Sequence, residues 1–370
     1  MHASQWIKNQ SQSNQQLIRA IASDIPQQNW RIKFEKETQP RSASEDLFSV
    51  QKQFNSMWYR KLLRQVADVE SQLQNLDFVK YIRGMEFELH RHFYEALKTQ
   101  TELELRREFL FSLNNFIEKQ ENRIGQGVGK EYDLEIIRQQ GVLESQRIRA
   151  LNAKLSDMAS EISALSEFDK KLIPLKGRVL PVWNSQIQDA ELRLIKQNLE
   201  LQKFELESKK LEREKLKLQN RPFKQYDLEI GSKRFSGSDS SGSGVVVGIS
   251  SELPFSFNNR NKRKRYAKMD QFRKARYNQK RSYLSSRLNS LGQLISQTIK
   301  QSEEQRQVLV GPAEDLFKNK QDAYYNGAGS MLDLLEAREH LMDSYLELNE
   351  TEYSARLNWL KFKALIIGVQ

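Results

Sequence analysis

Cysteine is absent from all 370 residues, which excludes disulfides, thiolate metal sites, thiol nucleophiles and lipid attachment through a cysteine. Proline is scarce: none lies between Pro40 and Pro174, and after Pro254 there is only Pro312. Nothing in those stretches need interrupt a helix except a few sharply placed glycines. No run of 18 apolar, uncharged residues occurs, so a transmembrane helix is excluded. The start, Met1-His2-Ala3-Ser4-Gln5-Trp6, has no basic stretch followed by an apolar one, so the chain as written is expected to carry no export signal. Only 38% of residues are hydrophobic against 29% charged, which argues against a thick-cored enzyme. No acid/base pair, triad or phosphate loop stands out, so no catalytic residue and no cofactor are expected. Nor is a metal site, because His90 and His92, two apart on a helix, point in different directions and His2 and His340 have no cluster around them.

What is abundant is Leu, Glu, Gln, Lys, Arg and Ala with apolar residues three or four apart, the signature of long amphipathic helices. One stripe runs Leu103, Leu105, Phe109, Leu110, Leu113, Phe116; another runs Leu143, Ile148, Leu151, Leu155, Met158, Ile162, Leu165. Two glycine interruptions resemble each other, Gly127-Val128-Gly129-Lys130-Glu131-Tyr132-Asp133-Leu134 and Gly327-Ala328-Gly329-Ser330-Met331-Leu332-Asp333-Leu334. They stand 200 residues apart, and Glu104/Glu304, Arg106/Arg306 and Arg138/Arg338 keep that offset, so the chain reads as an internal duplication.

Upstream of each long helix lie two segments of period-two alternation: Trp30, Ile32, Phe34 and then Phe48, Val50, Phe54; Tyr226, Leu228, Ile230 and then Val245, Val247, Ile249, Leu253, Phe255, Phe257. Between the latter two, Ser236 to Gly244 reads as a flexible solvated loop. The first repeat is placed at 1–183, with strands at about 30–38 and 46–55 and helices at 56–122 and 130–171. The second, 184–370, has a charged helix at about 186–219, strands at 223–235 and 245–257, and helices at 261–325 and 330–366. Four short strands with one apolar and one polar face expose edges and bury little. They suit a membrane β-barrel, but four are too few to close one, so several copies must contribute.

These residues resemble the TolC-type outer-membrane efflux proteins, in particular the branch serving heavy-metal and other tripartite pumps. Val245-Val246-Val247-Gly248-Ile249-Ser250-Ser251-Glu252-Leu253-Pro254-Phe255 with Asn259-Arg260-Asn261-Lys262 looks like that branch's last strand and its turn into a helix. Tyr325-Asn326-Gly327-Ala328-Gly329-Ser330, Asp333-Leu334-Leu335 and Ala337-Arg338, with the weaker copy at Gly127–Leu134, looks like its hairpin tips; the resemblance spans about residues 25–368. It implies a homotrimer whose twelve strands form one outer-membrane β-barrel and whose helices form a periplasmic tunnel. The partners implied are a periplasmic adaptor, an inner-membrane pump and outer-membrane lipid. Gly127, Gly129, Gly327 and Gly329 would then be tips facing the adaptor, while Asp133, Asp333 and Glu336 would lie near the tunnel's closed end. A carboxylate ring there favours cations and gates by like-charge repulsion, although acids at a helix start also favour its positive end without any gate. The absent signal peptide, the absent lipid-bearing Cys and a short front depart from the family, from which a mature or truncated form is expected.

The net charge is +11, and residues 260–281 hold eleven Lys or Arg against the single acid Asp270. With Tyr266, Phe272 and Tyr277 interleaved, such a helix suits nucleic acid, and a soluble coiled-coil scaffold binding nucleic acid through 260–281 is the alternative to the channel. No nucleic-acid motif accompanies the run, which follows directly on the lipid-facing strand. Arg260, Lys262, Arg263, Lys264 and Arg265 are therefore read as a basic rim toward acidic headgroups or acidic neighbouring arms, and no nucleic acid is expected.

Overall fold

A computed structural model of the chain describes residues 12–18, 20, 30–39, 43–166, 174–184, 186, 188–189, 193–217, 225–236, 241–251 and 258–369. Helices dominate: α1 (Met57–Gly125), α2 (Glu131–Ser166), α3 (Leu199–Lys217), α4 (Asn258–Gln305), α5 (Gly311–Tyr325) and α6 (Met331–Ile367). Four strands, β1 (Trp30–Gln39), β2 (Ala43–Asn55), β3 (Gln225–Ser236) and β4 (Ser241–Ser251), form one antiparallel sheet in the order β1-β2-β3-β4. The chain is thus mainly helical with a small β part. Among the described residues no helix is long and apolar enough to cross a membrane.

Two compact units emerge, one of Lys80–Leu199 with Arg281–Gln370, the other of Asn9–Val79 with Glu200–Lys280. Each unit draws one segment from each half of the sequence.

The first unit contains the two glycine turns. Its core gathers Phe109, Leu113 and Phe116 of α1, Ile137 of α2, Tyr324 of α5 and Met331, Leu334, Leu335 and Met342 of α6. Hairpins α1–α2 and α5–α6 therefore bury their apolar stripes against each other. Leu113, Ile137 and Leu334 are 0% exposed, worth roughly 1.5–3 kcal/mol each in removal from water. The stripe on α2 is only partly used: Met158 is buried, yet Leu143 stays 46% exposed. Glu144, 1% exposed, clamps α2 to α1 by accepting from Arg106 Nη1 at 3.2 Å and from Arg147 Nη1 at 2.5 Å.

Three expected elements differ in detail. The helix placed at 186–219 is broken at Asn198, between a 3₁₀ turn (Leu194–Gln197) and α3. Asn198 leaves helical geometry at ψ 123°, and its buried side chain donates to the carbonyls of Leu365 (2.7 Å) and Ile366 (3.2 Å) at the end of α6. The helix placed at 261–325 contains a π segment, Arg306–Val310, directly before Pro312. Proline has no N–H and its ring crowds the carbonyl four residues back, and the wider turn makes room for both. The stretch Ser236–Gly244 is not all loop, because Ser236 pairs with Ser241, Phe235 with Gly242, Arg234 with Ser243 and Lys233 with Gly244. Ladder hydrogen bonds use only backbone, so side chains with no strand preference do not prevent pairing. Residues 167–171, assigned above to a helix, and the strand residues Leu253, Phe255 and Phe257 lie outside the described part.

Candidate functional site

In the unit that holds the sheet, the register settles which side chains share a face. Cα partners across the four strands align Phe34–Phe48–Ser232–Val245, then Ile32–Val50–Ile230–Val247, then Trp30–Lys52–Leu228–Ile249, then Phe54–Tyr226–Ser251. One face is therefore an apolar band with aromatic residues toward both margins. Its outer members, from Phe48 at 49% to Val245 at 78%, are exposed, Val247 and Ile249 among them. Beyond one margin the next row reads Lys36–Asp46–Arg234–Ser243, and polarity returns.

A shift of one residue reaches the other face. There stand Arg31, Lys33, Glu35 and Glu37 of β1, Glu45 of β2, and Asp227, Glu229 and Lys233 of β3, with Leu47, Phe235 and Val246 as exceptions. Lys33 meets Glu35 at 2.5 Å, Lys233 meets Glu45 at 2.5 Å, and Ser49 Oγ donates to Glu229 Oε1 at 2.5 Å. Gly231 lets β2 and β3 close up here, since a Cβ would sit 2.5 Å from the Phe48 carbonyl oxygen. Among the described residues the outer edges of β1 and β4 have no strand partner. An exposed apolar face, a charged reverse and two open edges cannot be stable as an isolated sheet in water.

In the other unit the two glycine turns are superposable bond for bond. The Gly127 N–H donates to the Ile124 carbonyl (2.9 Å), and the Val128 and Gly129 N–H groups to Arg123 (3.0 and 2.9 Å). Two hundred residues on, Gly327 donates to Tyr324 (3.1 Å), and Ala328 and Gly329 donate to Ala323 (2.9 and 3.1 Å). Gly127 and Gly327 take φ of 76° and 73°, where a Cβ is strained. Gly129 and Gly329 pass close to the preceding helix end: a Cβ would lie 2.6 Å from Ile124 N and 3.1 Å from Tyr324 N. The extra glycine of the first copy, Gly125, simply ends α1.

The acids that follow are held differently. Ser330 caps α6 by accepting from the Asp333 N–H (3.1 Å), and Asp333 Oδ2 lies 3.7 Å from Lys320 Nζ. In the first copy Lys130 replaces the capping serine; its carbonyl accepts from Gln120 Nε2 at 3.0 Å. Asp133 is half-exposed, and Glu336 is exposed. Tyr324, close to Asp133, donates to Gln120 Oε1 at 2.5 Å, and burial raises its phenol pKa above the ordinary value.

Arg338 went unremarked as a structural group at the sequence level. Its duplicate Arg138 is exposed and paired with Glu121 at 2.7 Å. The counterpart of Glu121 is Gln321, and Arg338 lies inward, only 4% exposed, donating to the Phe109 carbonyl.

The basic helix lies in α4. Arg273 Nη1 donates to the Glu207 carbonyl (2.7 Å), Lys280 pairs with Glu200 (2.6 Å) and Tyr277 donates to Glu205 (3.4 Å), all on α3. Lys262, Lys264 and Arg265 are exposed and Arg263 is half-exposed; Arg260 is in the helix, its side chain outside the described part. Among the described residues no group of His, Asp and Glu is arranged to hold a metal ion.

No family model matches the chain, and no curated protein matches it in sequence. Solved structures do match in fold. The outer membrane protein VceC from Vibrio cholerae superposes with a TM-score of 0.72 at 13% identity, over 100% of this chain and 93% of that one. CusC, whose structures concern folding and transmembrane channel formation, gives 0.70 at 15% identity over 98% and 89%. The open-state MtrE outer membrane channel of Neisseria gonorrhoeae gives 0.64 at 11% identity over 100% and 86%. Along nearly its whole length, then, the chain has the fold of solved outer-membrane channel proteins.

Proposed function

We propose that the chain is the outer-membrane exit duct of a tripartite efflux system. Three copies contribute four strands each to one twelve-stranded barrel, and their paired helical hairpins continue the conduit through the periplasm. An inner-membrane pump, coupled by a periplasmic adaptor, supplies the energy; the duct itself is a passive, water-filled path without catalytic residues.

The observation that carries this reading is the sheet, with its exposed apolar band, charged reverse and two open edges. Sister strands on both edges complete the backbone hydrogen bonding, as a membrane demands. The apolar band then meets lipid, and the charged face lines water. Four strands cannot enclose a lumen, whereas three copies exceed the minimum of about eight. The half-open stripe of α2 is further surface for a sister copy. In this reading the glycine turns at 127–129 and 327–329 face the adaptor, and Asp133, Asp333 and Glu336 narrow the tunnel's end with negative charge.

Single-channel recording in planar lipid bilayers tests it. Purified trimers are expected to give discrete, cation-preferring conductance steps; trimers that insert without conducting would refute the duct.

A further inference from the structure

Along α6, Arg338, Leu341, Met342 and Tyr345 are spaced i, i+3, i+4 and i+7, which puts them on one face of the helix. With Phe109 of α1 and Phe317 of α5, that face lines a cavity of about 190 Å³ between the two hairpins. An apolar cavity of about 150 Å³ already holds benzene, so a single aromatic ring with a short substituent fits here. Rings from Phe109, Phe317 and Tyr345 and the adaptable thioether of Met342 give such a ring a matching wall.

Arg338 is the exception in this apolar lining. Its guanidinium, 4% exposed, stacks on Phe109 and donates from Nη2 to the Phe109 carbonyl. Nη1 is shielded from water and has no hydrogen-bond partner among the described residues. Glu144, the carboxylate that acts on it electrostatically, is committed to Arg106 and Arg147. A buried ionised donor left unmet is costly, so an acceptor that can reach it is held strongly.

The other end of the cavity has the opposite character. Tyr345 stands two turns along α6, about 10 Å from Arg338 by helical rise. Its hydroxyl donates to Glu314, and burial together with the carboxylates of Glu314 and Glu108 pushes the phenol up to about 12. That end is therefore neutral tyrosine rimmed by negative charge.

We propose that this cavity binds a small aromatic monocarboxylate, its carboxylate on Arg338 and its ring among Phe109, Phe317 and Met342. The charges fix the pose: the acid points inward to the guanidinium, and a second acid at the far end would meet Glu314 and Glu108. Because α1, α5 and α6 all wall the cavity, one bound molecule holds the two hairpins together. The site needs only the fold of the hairpin unit and stands or falls apart from the duct.

The test titrates the full chain in detergent with benzoate and reads amide hydrogen exchange. Benzoate is expected to slow exchange at residues 105–112 and 338–345 and to raise the melting temperature. Benzyl alcohol, of similar size without the charge, should protect the same segments about tenfold more weakly. Terephthalate, with a second carboxylate opposite the first, should also bind more weakly than benzoate. In Arg338→Met the preference for benzoate over benzyl alcohol should vanish. The ligand comparisons on the unmodified chain keep the test valid if that variant folds poorly. No protection by benzoate, protection only elsewhere in the chain, or equal affinity for benzoate and benzyl alcohol would overturn the site. Terephthalate binding as tightly as benzoate would overturn the pose.

Discussion

The guanidinium of Arg338 on α6 lies 3.8 Å from the ring centroid of Phe109 on α1 and donates to the same residue's carbonyl, tying one hairpin to the other. Phe116 is the second ring beneath it, at 5.4 Å, while among the described residues Arg338 Nη1 has no hydrogen-bond partner. Burial of this cation lowers its pKa from 12.5 to about 9, so the folded chain releases the proton more readily than the unfolded one. Where the unfolded state binds more protons, stability rises with pH. Melting temperature in detergent is therefore expected to gain a component that increases as pH rises through about 9. Arg338→Met, which fills the space without burying charge, should abolish that slope and keep or raise stability at pH 7. Arg338→Ala should lose about 2–4 kcal/mol through the cavity it opens. A Met variant that melts as low as the Ala variant would show that the charge itself holds the hairpins.

The two glycine turns make the same hydrogen bonds but differ in tightness. Alanine at Gly127 or Gly327 meets a positive φ and should cost about 1 kcal/mol in either copy. At the second glycine the copies part. A Cβ on residue 129 would strike backbone at 2.6 Å, whereas on residue 329 the approach is 3.1 Å. Thermal melts of Gly129→Ala and Gly329→Ala are expected to differ, with the first clearly the less stable. Equal losses would mean that the turns relax independently of these contacts.

Much of this architecture is written in side chains whose effect is local. Glycine at 127 and 327 is required by φ, and alternation along β3 and β4 requires nothing beyond the strand itself, so both were legible. Asn198 was not, because in a run of Leu, Glu and Lys it is compatible with helix, and its partners, the carbonyls of Leu365 and Ile366, are distant in sequence. The pairing of Ser241–Gly244 was hidden for the opposite reason, since ladder bonds leave no mark on side-chain identity. The basic run of α4 announced its charge, but only the fold separates Arg273 and Lys280, matched by Glu207 and Glu200, from the exposed Lys262, Lys264 and Arg265.

Asp133 and Asp333 bear on conductance if three copies bring six carboxylates around one tunnel end. Replacing both with Ala removes like charges that concentrate cations, and also the contact from Lys320 to Asp333 at 3.7 Å. Loss of the Lys320 contact loosens the tip and is expected to raise resting conductance, while loss of the carboxylates is expected to weaken cation preference, read from current steps and reversal potentials in asymmetric salt. Ser330 retains its capping bond to the backbone N–H of residue 333 in this variant, so loss of α6 is not the cause of any change. Unaltered conductance and selectivity would leave the acids with only their favourable position at a helix start.

Neighbouring valines on β4 give the sharpest test of which face meets lipid. Val247 is aligned with Ile230, Val50 and Ile32 in the apolar band, and Val246 is aligned with Gly231 and Ser49 on the charged face. Arginine near the middle of a lipid-facing strand costs about 2–4 kcal/mol, while the same residue toward a watery lumen costs far less. Val247→Arg is thus expected to reduce the folded fraction in vesicle-refolding experiments, and Val246→Arg to fold nearly as the unmodified chain and shift selectivity away from cations. Because the two positions share strand, depth and side-chain type, propensity and expression affect them alike. The reverse ordering would place the apolar band toward the lumen, a register in which no water-filled duct could form.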